Sequence, residues 1–297
     1  MRIGYPCINR TLDCRGNRTF RLKSYSEERL IETVENNLDC LQQILEFNVE
    51  HGFFFFRISS DLVPFASHPV CRFDWGEHFA RKFRKIGNYI RKHGIRISMH
   101  PDQFTLINSL KEEIFVRSRR ELLYHGQVLD LLGLNQTAKF QIHVGGVYGD
   151  KPAALTRFIA RYHTLEEEIR RRLVIENDDV SYTLADCLEI SGKTGVPILF
   201  DVFHHKVNSS GEAVKDALKA ATTTWKKRDG TLMVDYSSQR FDGARGSHTE
   251  SIDLQDFNKF LEESRPVDFD LMLEIKDKEI SAEKAVAAAR NDPRLFQ

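Results

Sequence analysis

The 297-residue chain carries 43 basic and 43 acidic residues, so no global field draws it to nucleic acid, and an anionic partner must be held by a local patch. Its five cysteines, at positions 7, 14, 40, 71 and 187, form an odd set without a C-x-x-C pair, which points to neither a disulfide framework nor a thiolate zinc site and fits a reducing cytoplasm. No stretch approaches the roughly 18 apolar residues of a membrane span, so a soluble protein without membrane partners is expected.

Short apolar runs alternate with longer helical patterns from end to end. Strands are predicted at 2–8, 53–58, 95–100, 139–144, 172–177, 196–202, 231–237 and 269–276. Helices are predicted at 27–49, 77–93, 111–133, 152–169, 182–194, 211–225, 253–263 and 279–290, and pairs such as His93-Gly94, Leu132-Gly133 and Thr194-Gly195 supply the glycine that turns a helix into the next strand. An unbroken βα series without a linker predicts an α/β protein, a single (β/α)8 TIM barrel filling residues 1–297. Phe53-Phe54-Phe55-Phe56 reads as strand core, and the segment 238–252 as a long loop, functional or mobile.

Barrels of this kind carry their chemistry at the C-terminal ends of the strands. Candidate metal ligands recur there. His68 lies in the loop after the second strand, while His100, His143 and Glu176 close the third, fourth and fifth. Asp201 closes the sixth with His204 three residues on, Asp235 ends the seventh with His248 in its loop, and Glu274 closes the eighth. The two-residue period of a strand turns this set inward and predicts Val174, Leu199, Met233 and Met272 beneath it. A single histidine at a strand end is commonly structural and a single carboxylate often caps a helix, but so many converging ligands resist burial without cations. Imidazole with carboxylate and no thiolate suits a catalytic site. Nine ligands call for two or three divalent ions, with Glu176 as the first choice of bridge; Mn2+, Zn2+ and Mg2+ are all compatible, and no nucleotide cofactor is indicated.

The stretches Arg2-Ile3-Gly4-Tyr5, Phe55-Phe56-Arg57-Ile58-Ser59-Ser60, Ser98-Met99-His100-Pro101-Asp102-Gln103, Val174-Ile175-Glu176-Asn177-Asp178-Asp179 and Met272-Leu273-Glu274-Ile275-Lys276-Asp277-Lys278 resemble those of the ultraviolet damage endonucleases. The resemblance spans essentially the whole chain. It implies a barrel that nicks double-stranded DNA immediately 5′ of cyclobutane dimers, 6-4 photoproducts or abasic sites, acting as a monomer. It carries the metal cluster onto the same nine positions, with Glu176, His100, His143, Asp201 and Glu274 catalytic. It places a probing pair on Gln103 and Phe104 and lesion contacts on Tyr5 and Asn9. Three positions depart from the family pattern: Phe104 replaces a tyrosine, Asp235 a histidine and Met233 a lysine facing the pocket.

Between residues 9 and 23, Arg10, Arg15, Arg18, Arg21 and Lys23 face the single acid Asp13, a local patch able to hold backbone phosphates; Arg72, Lys206, Arg240 and Arg245 could join it from later loops. Alternative readings of the same residues are an abasic-site endonuclease of the endonuclease IV type, a sugar isomerase on a metal-bearing barrel, and a barrel that recognises damage without cutting. The Gln103-Phe104 pair and the basic loop favour a duplex over a sugar.

Overall fold

The computed structural model describes residues 1–296. Eight parallel strands close on themselves in chain order: β1 Ile3–Pro6, β2 Phe55–Ile58, β3 Arg96–Met99, β4 Lys139–His143, β5 Leu173–Glu176, β6 Ile198–Asp201, β7 Leu232–Tyr236 and β8 Phe269–Leu273. The principal outer helices are Glu27–Glu50, Ala80–Lys92, Glu112–Leu131, Lys151–Thr164, Leu184–Thr194, Val214–Thr222, Leu254–Glu263 and Glu279–Ala288. The chain therefore has the (β/α)8 architecture expected from its alternating pattern.

Closure brings β1 against both β2 and β8. Gly4 makes the first contact possible, since a Cβ there would stand 1.5 Å from the Phe55 carbonyl oxygen. Alternation along the strands sorts side chains between two apolar layers. Ile3, Tyr5, Phe53 and Phe56 join the large cluster between sheet and helices, whereas Phe55, Val174, Leu199, Met233 and Met272 form a separate buried cluster inside the barrel. The inward positions predicted from parity are occupied as expected.

Below this apolar floor, at the N-terminal end, buried ion pairs plug the barrel: Arg96 Nη1 donates to Asp270 (2.8 Å) and Lys139 Nζ to Asp229 (2.6 Å). Above it the interior is polar. Two differences from the predicted elements matter there. A short helix, Val202–Val207, starts directly after β6 and carries His204, and the segment after β7 contains an antiparallel bridge, Gln239 to His248, that holds His248 on the rim.

The first βα loop also departs from expectation. Cys14 and Cys40 are joined in a disulfide, against the prediction from cysteine spacing, because the loop folds back on helix Glu27–Glu50 and brings their Cα atoms to 5.6 Å. Cys7, Cys71 and Cys187 remain free thiols. No helix among the described residues is long and apolar enough to cross a membrane.

Candidate metal centre

Strand pairing sets the ligands side by side. His143 is the register partner of Glu176, and Asp201 that of Asp235. Three groups of potential ligand atoms result, each with its members within 4.8 Å of one another: His100, His143 and Glu176; Glu176, Asp201 and His204; Asp201, Asp235 and Glu274. Glu176 belongs to two of them, the place expected of a bridge, and Asp201 does likewise.

Local bonds orient the imidazoles. His100 donates Nδ1–H to the Pro101 carbonyl (2.7 Å) and His248 to that of Glu274 (2.8 Å), so each keeps Nε2 free. His204 Nδ1 lies 3.0 Å from the Asn177 carbonyl and 3.3 Å from Glu176 Oε1. The Asp201 side chain caps its own helix by accepting the His204 amide (2.6 Å), while its Oδ2 has no hydrogen-bond partner, with His204 Nδ1 near it at 3.6 Å; His143 Nδ1 also lacks a hydrogen bond. Buried atoms without hydrogen bonds, set among imidazoles and carboxylates, fit divalent cations.

Electrostatics agree with that fit. Burial drives the His100 imidazole down to about 4, leaving it neutral and able to ligate at physiological pH. For His204, burial is outweighed by Asp201 and Glu176, and the ring is pushed up to about 11. Burial raises Asp201 to about 7 despite His204. Burial also opposes ionisation of Glu176, but His143, His204 and His100 overcome it and hold the carboxyl well below the usual range. In the metal-free site the charged His204 ring thus stands against Glu176 and Asp201.

Two expected ligands stand apart. His68 is exposed, accepts the Val70 amide on Nδ1 (3.1 Å), and lines a hollow with Asp102, Phe104 and Arg117 instead of joining the three groups. His248 stays at the edge, its ring 6.1 Å from that of His204. Asp235 is already engaged: Arg57 Nη2 donates to both its oxygens (2.7 and 2.6 Å), Gln141 Nε2 donates to its Oδ2 (2.7 Å), and Arg57 Nη1 also pairs with Glu274. Met233 lies in the apolar floor and brings no charge.

Arg57, Gln141 and Lys278 join the site without a role assigned from sequence, although parity turns Gln141 inward beside His143. Arg57 shares the inward parity of Phe55, which was the available signal. An open cavity of about 580 Å³ over the centre is lined by Cys7, Arg57, His100, His248, Glu274 and Lys278. Cys7 (φ 72°) and Lys278 (φ 58°) adopt the left-handed region uncommon for residues with side chains, at the cavity wall.

Tyr5 and Asn9, expected to touch a lesion, are both buried. Tyr5 is 0% exposed, packs edge-on to Phe53 and Phe56, and donates its hydroxyl to Asn48 (2.6 Å). Its outward parity in β1 sends it to the layer between sheet and helices. Asn9 donates to the Tyr5 hydroxyl (2.8 Å) and accepts the amides of Thr11 and Leu12 (both 2.9 Å), shaping the basic loop from beneath. Gln103 and Phe104 are exposed as expected, Phe104 to 73%.

The loop's Arg10, Arg15 and Arg18 are all exposed, and no acid pairs with them within 4.0 Å among the described residues. By contrast Lys206 pairs with Asp256, and Arg240 with Asp242. The exposed large apolar side chains, Leu22, Phe104, Leu110, Tyr148, Val180, Phe241, Leu254 and Ile280, all stand in βα loops or on the first turn of the helix that follows one. One end of the barrel is therefore both cationic and sticky.

Fold and rim together define a (β/α)8 barrel whose polar site occupies the end of the strands where such barrels do chemistry. The family described as UV-endonuclease UvdE matches residues 1–287, and the chain belongs to that family. The UV DNA damage endonuclease of Clostridium perfringens (strain 13 / Type A) is 38% identical over 288 residues, covering 96% of this chain and 70% of that one. That of Bacillus thuringiensis subsp. konkukian (strain 97-27) is 35% identical over 291 residues, covering 95% and 92%. The crystal structure of SacUVDE superposes with a TM-score of 0.95 at 43% identity, over 99% of this chain and 100% of that one. Endonuclease IV from Thermus thermophilus (TM-score 0.56, 15% identity, 84% of this chain and 93% of that one) is alike in fold alone.

Proposed function

We propose that the chain is an endonuclease for ultraviolet-damaged DNA, which hydrolyses the phosphodiester immediately 5′ of a photoproduct at a divalent-metal centre. The observation that carries this reading is the convergence of His100, His143, Glu176, Asp201 and His204, with orphaned buried ligand atoms, at the end of the barrel where His100 and Glu274 open into a cavity. Divalent ions held there supply Lewis acidity toward a phosphate and toward the water that attacks it.

The remaining work falls to the chain itself. Arg10, Arg15 and Arg18 neutralise backbone phosphates beside the cavity, and Lys278, on the cavity wall, meets an oxygen of the scissile phosphate. Damaged nucleotides leave the stack at a cost of a few kcal/mol, less than for intact ones because the photoproduct is already distorted. Gln103 and Phe104 fill the gap they leave, with the ring stacking where the bases stood.

The test is an end-labelled duplex bearing one cyclobutane dimer, incubated with Mn2+ or EDTA beside undamaged and abasic duplexes. A single nick 5′ of the dimer, abolished by EDTA, is expected. An intact dimer strand under Mn2+ refutes the proposal, and cutting of the abasic duplex alone replaces it with an abasic-site endonuclease.

A further inference from the structure

Nine candidate ligands imply up to three ions, but the three groups that form are chemically unequal. The two that share Glu176 each mix imidazole with carboxylate. The third, Asp201, Asp235 and Glu274, contains carboxylates only, and a cation already sits among them. We propose that the guanidinium of Arg57 takes the place of one divalent ion, so that this chain binds two ions and uses a covalently attached cation for the third position. The proposal rests on the metal-centre reading above.

Occupancy comes first. Arg57 Nη2 spans both oxygens of Asp235 at 2.7 and 2.6 Å, and Nη1 pairs with Glu274. Asp235 Oδ2 accepts a further bond from Gln141 Nε2 at 2.7 Å, so both of its lone pairs are used. An ion entering here would have to displace Arg57 Nη2 to reach Oδ1, or both Arg57 and Gln141 to reach Oδ2.

Displacement would also strand the guanidinium. Its side chain is 3% exposed, its Nε already lacks a hydrogen-bond partner, and the layer beneath consists of Phe55, Val174, Leu199, Met233 and Met272. Removing one partner of a buried ion pair is strongly unfavourable, because the remaining charge is left uncompensated. Gln141 ties the arrangement to the ion-binding half by donating to Glu176 Oε2 (2.7 Å) as well as to Asp235.

Charge balance points the same way. Four carboxylates, Glu176, Asp201, Asp235 and Glu274, set against one guanidinium and two divalent ions leave a single net positive charge, which one phosphodiester neutralises. A third ion would leave three positive charges in a buried space with one phosphate to meet them. Asp235 is thus an anchor for Arg57 and a positioning residue, with no ion of its own.

The test counts ions. Metal-stripped protein is reloaded with excess Mn2+, freed of unbound ion by gel filtration, and analysed by inductively coupled plasma mass spectrometry. Two Mn2+ per chain are expected; three overturn the proposal. R57M, checked by circular dichroism, should gain one ion, and a folded R57M still holding two overturns the guanidinium's role. D235N removes the charge of Asp235 but leaves an amide oxygen for Arg57 Nη2 while Glu274 still holds Nη1, and it should retain two ions, so a drop to one overturns the proposal even where R57M fails to fold. A chain that binds no ion overturns this proposal together with the metal reading beneath it, whereas three ions leave the nicking of dimer-bearing DNA untouched.

Discussion

Replacing Phe104 with alanine separates finding a lesion from cutting beside it. The ring is 73% exposed and its backbone amide is held by Asp102 (3.1 Å), so truncation removes little packing and should change folding stability by less than about 0.5 kcal/mol. On damaged DNA the same ring stacks in place of extruded bases, and such stacking contributes about 1–3 kcal/mol per base, or roughly 5- to 150-fold in Kd. Undamaged duplex opens no gap for the ring, and its binding through Arg10, Arg15 and Arg18 should not change. Fluorescence anisotropy in EDTA, at one fixed salt concentration, measures both affinities without cutting. The expected result is weaker binding of the dimer duplex alone at an unchanged Tm. Equal weakening of both duplexes, or of neither, would refute the wedge. Phe241, fully exposed in the loop after β7, makes a matched control: F241A should weaken both duplexes alike if that ring only pads the DNA face.

Tyr5→Phe should lower stability by about 1–3 kcal/mol, since the Asn9 amide loses its buried acceptor, and leave lesion preference unchanged; a selective loss of dimer binding at unchanged Tm would restore Tyr5 to the interface. Replacing Arg10, Arg15 and Arg18 together by glutamine should reduce the slope of log Kobs against log salt by roughly 0.9 for each phosphate that is no longer neutralised. An unaltered slope would place the DNA elsewhere. Finally, Mn2+ binding should expel a proton. The neighbouring acids outweigh burial and raise His204 to about 11, so at pH 8 its ring is charged in the metal-free protein and must be neutral to ligate. Titration calorimetry in buffers of different ionisation enthalpy should show proton release, with apparent affinity rising with pH; no buffer dependence would remove His204 from the ligand set.

Much of this was legible in the amino-acid pattern. The two-residue period placed His100, His143 and Glu176 above Val174, Leu199, Met233 and Met272, and the last four form the barrel's apolar floor. The same rule, applied to β1, turns Tyr5 toward the helices with Ile3, yet the family resemblance had assigned it to the lesion. Arg57 was inward by parity too, but no local pattern reveals which acids a side chain meets across a barrel. His68 lies beyond the end of its strand, where periodicity no longer fixes direction. The Cys14–Cys40 bond depends on how a loop folds over a helix, and spacing along the chain carries no trace of that.

The pairing of His143 with Glu176, and of Asp201 with Asp235, turns the sheet into a ruler. Adjacent strands lie about 4.8 Å apart because of backbone hydrogen bonds, whatever side chains they bear. Ligands at matched heights on neighbouring strands inherit that interval, which is the scale on which the three ligand groups form. A larger or smaller ion can be met by turning a carboxylate, but the interval between neighbouring sites changes only if the barrel itself does. The outer helices and loops can therefore drift in sequence, altering what the barrel recognises, while the gauge of its chemistry stays constant.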